Sequence, residues 1–286
     1  MKKISLLFIV ALLVTVTSCI NESKTEFAET EVTRAHKIIS LNGAITEIVA
    51  ALGYENQIIG VDVTSTFPET VKQAAKDLGH VRSLTIESIL ELQPTLILAS
   101  DRDINPELLN KIKESGIETL LFTQEFSVSG SKKLITQIAE ALGENDSESL
   151  IKKIDNDIAQ VILPEAEPKV LFIYARGAGT LMVAGNNTPM KNIVEIAGGE
   201  YVITEFEDFK PLTPEWLAQS NPDVILLFDS GLQSLGGIDG LLQAQGVSQT
   251  NAGKNKRIIS MEGGLLSGFG PRVGEAATQL NQKLNN

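Results

Sequence analysis

The chain holds two histidines, His36 and His80, and one cysteine, Cys19, so metal or nucleophile chemistry has few places to sit. A zinc or manganese centre draws on several His, Cys and carboxylate ligands, and one usable histidine is too few. Asp101-Arg102-Asp103 has neither the glycine nor the closing glutamate of a calcium loop. No Gly-x-Ser-x-Gly and no Walker sequence occurs, and Gly268-x-Gly270 lacks the third glycine of a dinucleotide turn. Catalysis is therefore not legible here, and binding is what remains. His36 lies in a polar stretch and is most simply solvated, whereas His80 sits in a polar loop just before a helix. Arg82, Arg176 and Arg272 carry guanidinium forks that pair bidentately with carboxylates, unless they are solvated or structural.

The elements that must position these residues show themselves in a stretch the chain contains twice. Leu84-Thr85-Ile86-Glu87 runs through Gln93-Pro94 into Leu96-Ile97-Leu98, and Leu212-Thr213-Pro214-Glu215 runs through Asn221-Pro222 into Val224-Ile225-Leu226-Leu227. Thr85 and Thr213 suit helix N-caps, and Pro214 suits the first helical position. Glu87 and Glu215 fall where the positive end of the helix dipole favours a carboxylate. Pro94 and Pro222 stop each helix before a strand that reads as buried on both faces. Two copies with the same internal spacing point to two similar lobes.

Around them, αβ alternation is regular. Strands are expected at 37–41, 57–61, 117–122, 170–174 and 257–261. Helices are expected from Ile45 to Gly53, Glu69 to Asp77, Asn105 to Ser115, through Ile193 and Ile196, and from Gly274 to the end. Residues 129–163 read as helical with a break at Gly143. A Gly-rich loop is expected up to Asn187, and a Gly-rich segment runs from Gly231 to Gly240. This rhythm implies an α/β protein of two Rossmann-like lobes with mostly parallel sheets. The expected boundaries are 37–142 for the N-terminal lobe, 143–166 for a connecting helix and 167–286 for the C-terminal lobe. Ligand loops in such sheets lie at strand C-terminal ends, so two facing lobes make one cleft.

At 286 residues and 43% hydrophobic, the chain is long enough for two real cores. Its net charge of −12 argues against a nucleic-acid partner, which would require a basic stripe. Lys2-Lys3 precede an apolar run from Ile4 to Val16 that is too short to span a bilayer, so residues 1–18 read as a signal peptide. Val16-Thr17-Ser18-Cys19 resembles a bacterial lipobox, in which cleavage leaves Cys19 as a lipidated N-terminal residue. Residues 19–36 are polar and acidic and read as a tether.

Several further motifs resemble one family. They include Ser40-Leu41-Asn42-Gly43-Ala44-Ile45-Thr46-Glu47, Gly60-Val61-Asp62 with Thr64-Ser65-Thr66-Phe67-Pro68, and Ala175-Arg176-Gly177-Ala178-Gly179-Thr180. Ala184-Gly185-Asn186-Asn187-Thr188, Lys210-Pro211-Leu212-Thr213-Pro214-Glu215, Ser234-Leu235-Gly236-Gly237 and Gly268-Phe269-Gly270-Pro271-Arg272 complete the set. Together they resemble the periplasmic haem-binding proteins of haem-uptake ABC transporters, in the substrate-binding class that also serves vitamin B12 and iron–siderophores. The resemblance implies two lobes joined by a single long helix, with little hinge motion. It also implies a carrier without catalysis or catalytic cofactor, in the periplasm or cell envelope, that hands haem to a permease dimer. A corrinoid or ferric siderophore is the alternative cargo.

The resemblance also suggests roles. Haem iron needs an axial donor, and the propionates need cationic partners. Where relatives often place a ligating tyrosine, this chain has His80-Val81-Arg82, which makes His80 the expected axial ligand. Tyr174 is a weaker candidate that also suits a core position. Arg176 is the first choice for a propionate, with Arg82 and Arg272 behind it. Phe67, Met182 and Phe269 are candidates for packing on the macrocycle. Glu87 and Glu215 match the exposed glutamates by which each lobe of such carriers meets one permease subunit.

Overall fold

The computed structural model describes residues 36–144, 146–177, 179 and 181–286. The expected signal peptide, Cys19 and all of the tether but His36 lie outside the described residues.

In the first half, five short strands alternate with helices. They are β1 (Ile38–Ser40), α1 (Gly43–Val49), β2 (Ile58–Val61), α2 (Glu69–Ala74), β3 (Lys76–Asp77), α3 (Ile86–Leu90), β4 (Leu96–Ser100), α4 (Pro106–Glu114) and β5 (Glu118–Phe122). The strands lie in the order β3-β2-β1-β4-β5, and every neighbouring pair is parallel. Burial explains the apolar runs. Ile38, Leu96 and Leu98 turn to one face, while Ile39, Ile97 and Ala99 turn to the other with Leu108 and Ile112 of α4. A strand covered on both sides loses the polar alternation of a half-exposed one.

Two helices follow, α5 (Val128–Ala141) and α6 (Glu148–Ile158). They carry the expected break at Gly143 in the helical segment 129–163, and the connecting helix expected within 143–166 is α6, eleven residues long. Gly143 takes φ 73°, a left-handed conformation that ends α5 and that side chains disfavour. The second half then runs β6 (Lys169–Ala175), β7 (Leu181–Ala184), α7 (Pro189–Ile196), β8 (Glu200–Tyr201), β9 (Phe209–Pro211), α8 (Pro214–Ser220) and β10 (Val224–Phe228). It closes with α9 (Asp229–Ser234), α10 (Ile238–Leu242), α11 (Asn251–Lys254), β11 (Ile258–Met261), α12 (Gly263–Ser267) and α13 (Val273–Asn285). Its sheet has the order β11-β10-β6-β7-β9, with β8 beside the start of β6. β10, β11 and β8 are parallel to their neighbours, whereas β7 and β9 are antiparallel.

Two expectations are corrected. The helix expected over 69–77 stops at Ala74, because Lys76 and Asp77 pair with β2 as an edge strand. The stretch before Asn187 contains β7, whose ladder with β6 supplies backbone partners that a loop would lack. The Gly-rich segment 231–240 takes up part of α9 and the start of α10.

The duplication extends into the backbone. Thr85 Oγ1 accepts from Ser88 N–H and Thr213 Oγ1 from Trp216 N–H, each at 3.4 Å. Gln93 and Asn221, the residues before the two prolines, both have positive φ, 49° and 34°. The strands that follow, β4 and β10, are central in their sheets, each flanked by two parallel strands.

Candidate functional site

The loops that leave β1, β4 and β5 of the first sheet meet those around α7, α12 and the start of α13 from the second lobe. In the first lobe the strand order reverses between β1 and β4, and that crevice is where open α/β sheets bind ligands. Direct contacts join the lobes there. Gln124 Nε2 donates to Gly268 O, Ser131 Oγ donates to Phe269 O at 2.8 Å, and Asn192 Nδ2 donates to Phe126 O at 2.7 Å. The Phe126 and Phe269 rings pack 5.5 Å apart. A side chain at Gly270 would press within 3.2 Å of Ala44, so glycine permits this close approach.

Arg272 is the strongest of these links. Its guanidinium holds the Glu47 carboxylate through Nε at 2.9 Å and through a second, shorter bond from Nη2. Glu47 belongs to α1, and Arg272 precedes α13, so the pair bridges the lobes. Glu47 is 7% exposed and the Arg272 side chain 15%. Burial pushes the Glu47 carboxyl above its ordinary value of 4.5, and the Arg272 hydrogen bond and charge oppose that push. Arg272 also lies 4.0 Å above the Phe67 ring and 3.7 Å from Glu262, which accepts from Thr66 Oγ1 at 3.1 Å. The propionate role expected of Arg272 is therefore corrected: its fork is already filled by Glu47.

The loop that carries Phe67 has its own anchor. Asp62, 2% exposed, accepts from the hydroxyls of Thr64 and Ser65, and Thr64 Oγ1 in turn accepts from Gly43 N–H at 2.9 Å. Burial raises the Asp62 carboxyl above its usual range, against these hydrogen bonds. Phe67 is 45% exposed at the end of this loop.

Of the remaining expected residues, Arg82 is the one that lines the cleft. His80 is exposed in the loop after β3, where its Nδ1 accepts from Arg82 N–H at 3.3 Å and caps a short turn over Val81–Ser83. Arg82 lines an interlobe cavity with Arg102 and Phe126 from its own lobe and Asn187, Asp208 and Phe209 from the other. Tyr174 is half-buried on β6, opposite Met182 of β7, with its ring edge-on to Phe209 and Phe228 at 5.9 and 6.2 Å. Arg176 follows β6 and is exposed. Phe269 is 1% exposed, which makes it core and not a cleft wall. Among the described residues no group of three His, Cys, Asp or Glu side chains could hold a metal ion. An iron brought in by its own macrocycle needs only one or two protein donors.

Sequence reasoning missed Arg102, Phe126 and Phe209. Arg102 was legible as the second residue after a buried strand, the position where ligand loops begin. Phe126 and Phe209 stand alone in polar runs and carry no periodic signal.

Glu87 and Glu215 lie away from these residues, each exposed at the second position of its helix. Their own backbone N–H and the capping hydroxyl, Thr85 or Thr213, lower both carboxyls from the ordinary value.

The periplasmic binding protein family model matches residues 38–263. The apo structure of the periplasmic heme-binding protein RhuT from Roseiflexus sp. RS-1 is 36% identical, with a TM-score of 0.83 over 87% of this chain and 97% of that one. The periplasmic heme-binding protein BhuT in complex with two hemes is 32% identical, with a TM-score of 0.81 over the same shares. The ABC transporter substrate-binding lipoprotein YvrC of Bacillus subtilis (strain 168) is 27% identical over 256 residues, 87% of this chain and 79% of that protein. With two lobes, a ligand crevice between them and a family match across both, the chain belongs to the periplasmic binding protein family.

Proposed function

We propose that this protein captures haem outside the cytoplasm and delivers it to an ABC importer. The observation that carries the reading is the 36% identity and shared fold with RhuT over 97% of that heme-binding chain. The cleft chemistry agrees with it. Arg82 and Arg102 offer guanidinium donors to carboxylates, and the exposed ring edges of Phe67 and Phe209 offer apolar surface to a flat macrocycle. Met182 and Arg176 are the proposed contributors from the second lobe.

His80 is the proposed axial ligand, with Tyr174 as the weaker candidate. A neutral imidazole that accepts at Nδ1 carries its proton on Nε2. To give an Nε2 lone pair to iron, the proton must move to Nδ1, and the Arg82 N–H bond is then released. At 3.3 Å that bond is long and inexpensive to exchange.

Titrating the protein side by side with hemin, cobalamin and a ferric siderophore tests the cargo. Saturable binding with a Soret band is expected for hemin alone. Saturation by cobalamin or the siderophore, with hemin left free, would transfer the reading to that ligand.

Lipidation of Cys19 is the proposed mode of attachment, supported by the lipobox-like Val16-Thr17-Ser18-Cys19 and by YvrC's being a lipoprotein. Thioether formation requires the thiol, so Cys19→Ser should leave unprocessed or soluble protein in the aqueous phase of a detergent partition. Unchanged partitioning of the variant into detergent would refute the anchor.

A further inference from the structure

We propose that Arg102 reads the carboxylates of the ligand on the N-terminal lobe; this rests on the haem reading and sharpens it. Arg272 is committed to Glu47, and the Arg257 guanidinium donates to Leu284 O at the far end of α13. Arg82 and Arg102 share the interlobe cavity, and neither forms an ion pair among the described residues.

What distinguishes Arg102 is its support. Its guanidinium carbon lies 5.0 Å over the Phe126 ring. A guanidinium seated on an aromatic face keeps its in-plane N–H donors free, which is the arrangement that receives a carboxylate side-on. Phe126 is itself held from the other lobe, by the Phe269 ring at 5.5 Å and by Asn192, which donates to its carbonyl. The Arg102 backbone N–H donates to Ser100 Oγ at 3.3 Å, which ties the residue to the end of β4 where the strand order reverses. Two carboxylates share the cavity. They are Asp103, which accepts from Asn42 at 3.3 Å, and Asp208, so the two arginines face two acids before a ligand brings its own carboxylates. Arg102 is exposed, and the Phe126 face gives its guanidinium a seat from which to meet the ligand. Arg102 would select a porphyrin with free propionates over the same ring with its acids masked.

Hemin and hemin dimethyl ester differ only in those acids, so their affinities separate a carboxylate contact from a packing contact. The wild-type protein should bind hemin about tenfold more tightly than the ester, the effect of one charge-assisted hydrogen-bond pair. Arg102→Ala should remove most of hemin's advantage over the ester, leaving only what Arg82 supplies, and leave the ester's affinity unchanged, while Arg102→Lys, which keeps charge but loses the fork, should fall between. Equal losses for both ligands in Arg102→Ala, or an undiminished preference for hemin, would overturn the assignment. Failure of the wild-type protein to bind either porphyrin would instead defeat the haem reading and carry this inference with it.

Discussion

Replacing Arg272 with methionine is expected to cost about 3–5 kcal/mol of stability, because it leaves the buried Glu47 carboxylate without its counter-charge. Glu47→Leu should be costly for the mirror reason, since it strands a guanidinium that is mostly out of water. The double variant Glu47→Leu/Arg272→Met should recover most of the loss, as a buried ion pair is often replaceable by well-packed apolar groups. Urea melts of the four proteins measure this coupling. Single losses that simply add in the double variant would show that the pair is not a unit. A pH series adds a signed check. Burial already raises the folded-state value of Glu47 above 4.5, and removing Arg272 deletes the group that opposes the rise. Folding then favours the protonated carboxyl, so Arg272→Met should gain stability as pH falls towards that range and lose it as pH rises through the raised value.

The second large effect is expected on transport. If Glu87 and Glu215 each meet a cation on one permease subunit, reversing either to lysine sets like charges together at a desolvating contact. Such a contact costs several kcal/mol, and every ~1.4 kcal/mol is a factor of ten, so each reversal should cut uptake about tenfold or more. The two contacts lie on different lobes and share no partner, so the double reversal should be worse than either single one. Hemin affinity should stay unchanged in all three, because neither residue lines the cleft cavities. Both carboxyls are held below their ordinary value by the helix N-terminus, so the docking charge should persist into mildly acidic medium. If the glutamates only complement their helix dipoles, each variant melts slightly lower and transports normally. Normal uptake by the double variant in permease-containing vesicles would end the docking idea.

Much of the architecture was legible because it rests on short-range rules. Thr85 and Thr213 announce helix starts, Pro94 and Pro222 announce their ends, and the runs 96–98 and 224–227 can only be strands buried on both faces. The strands β7 and β9 were hidden because antiparallel pairing is decided by partners distant in sequence. Leu181-Met182-Val183 between glycines reads equally well as a loop. The break at Gly143 was legible, because a glycine can take the left-handed φ that stops a helix which periodicity alone would continue. His80 and Arg82 were marked by the family resemblance, since they stand where relatives often place a ligating tyrosine and the residues after it. The sequence could not assign Arg272, since nothing local says that Glu47, 225 residues earlier, fills its fork. Arg102 escaped for the converse reason. Its value comes from Phe126, with which it shares no periodic pattern.

The most direct test of the account is the absorption spectrum of the hemin complex of the wild-type protein beside that of His80→Ala. A cleft that holds haem through His80 predicts saturable binding with a well-defined Soret band. The variant should show a shifted or broadened band and affinity lower by about tenfold or more, the effect of losing one strong ligand-to-protein bond. A spectrum and affinity left untouched by His80→Ala would contradict it.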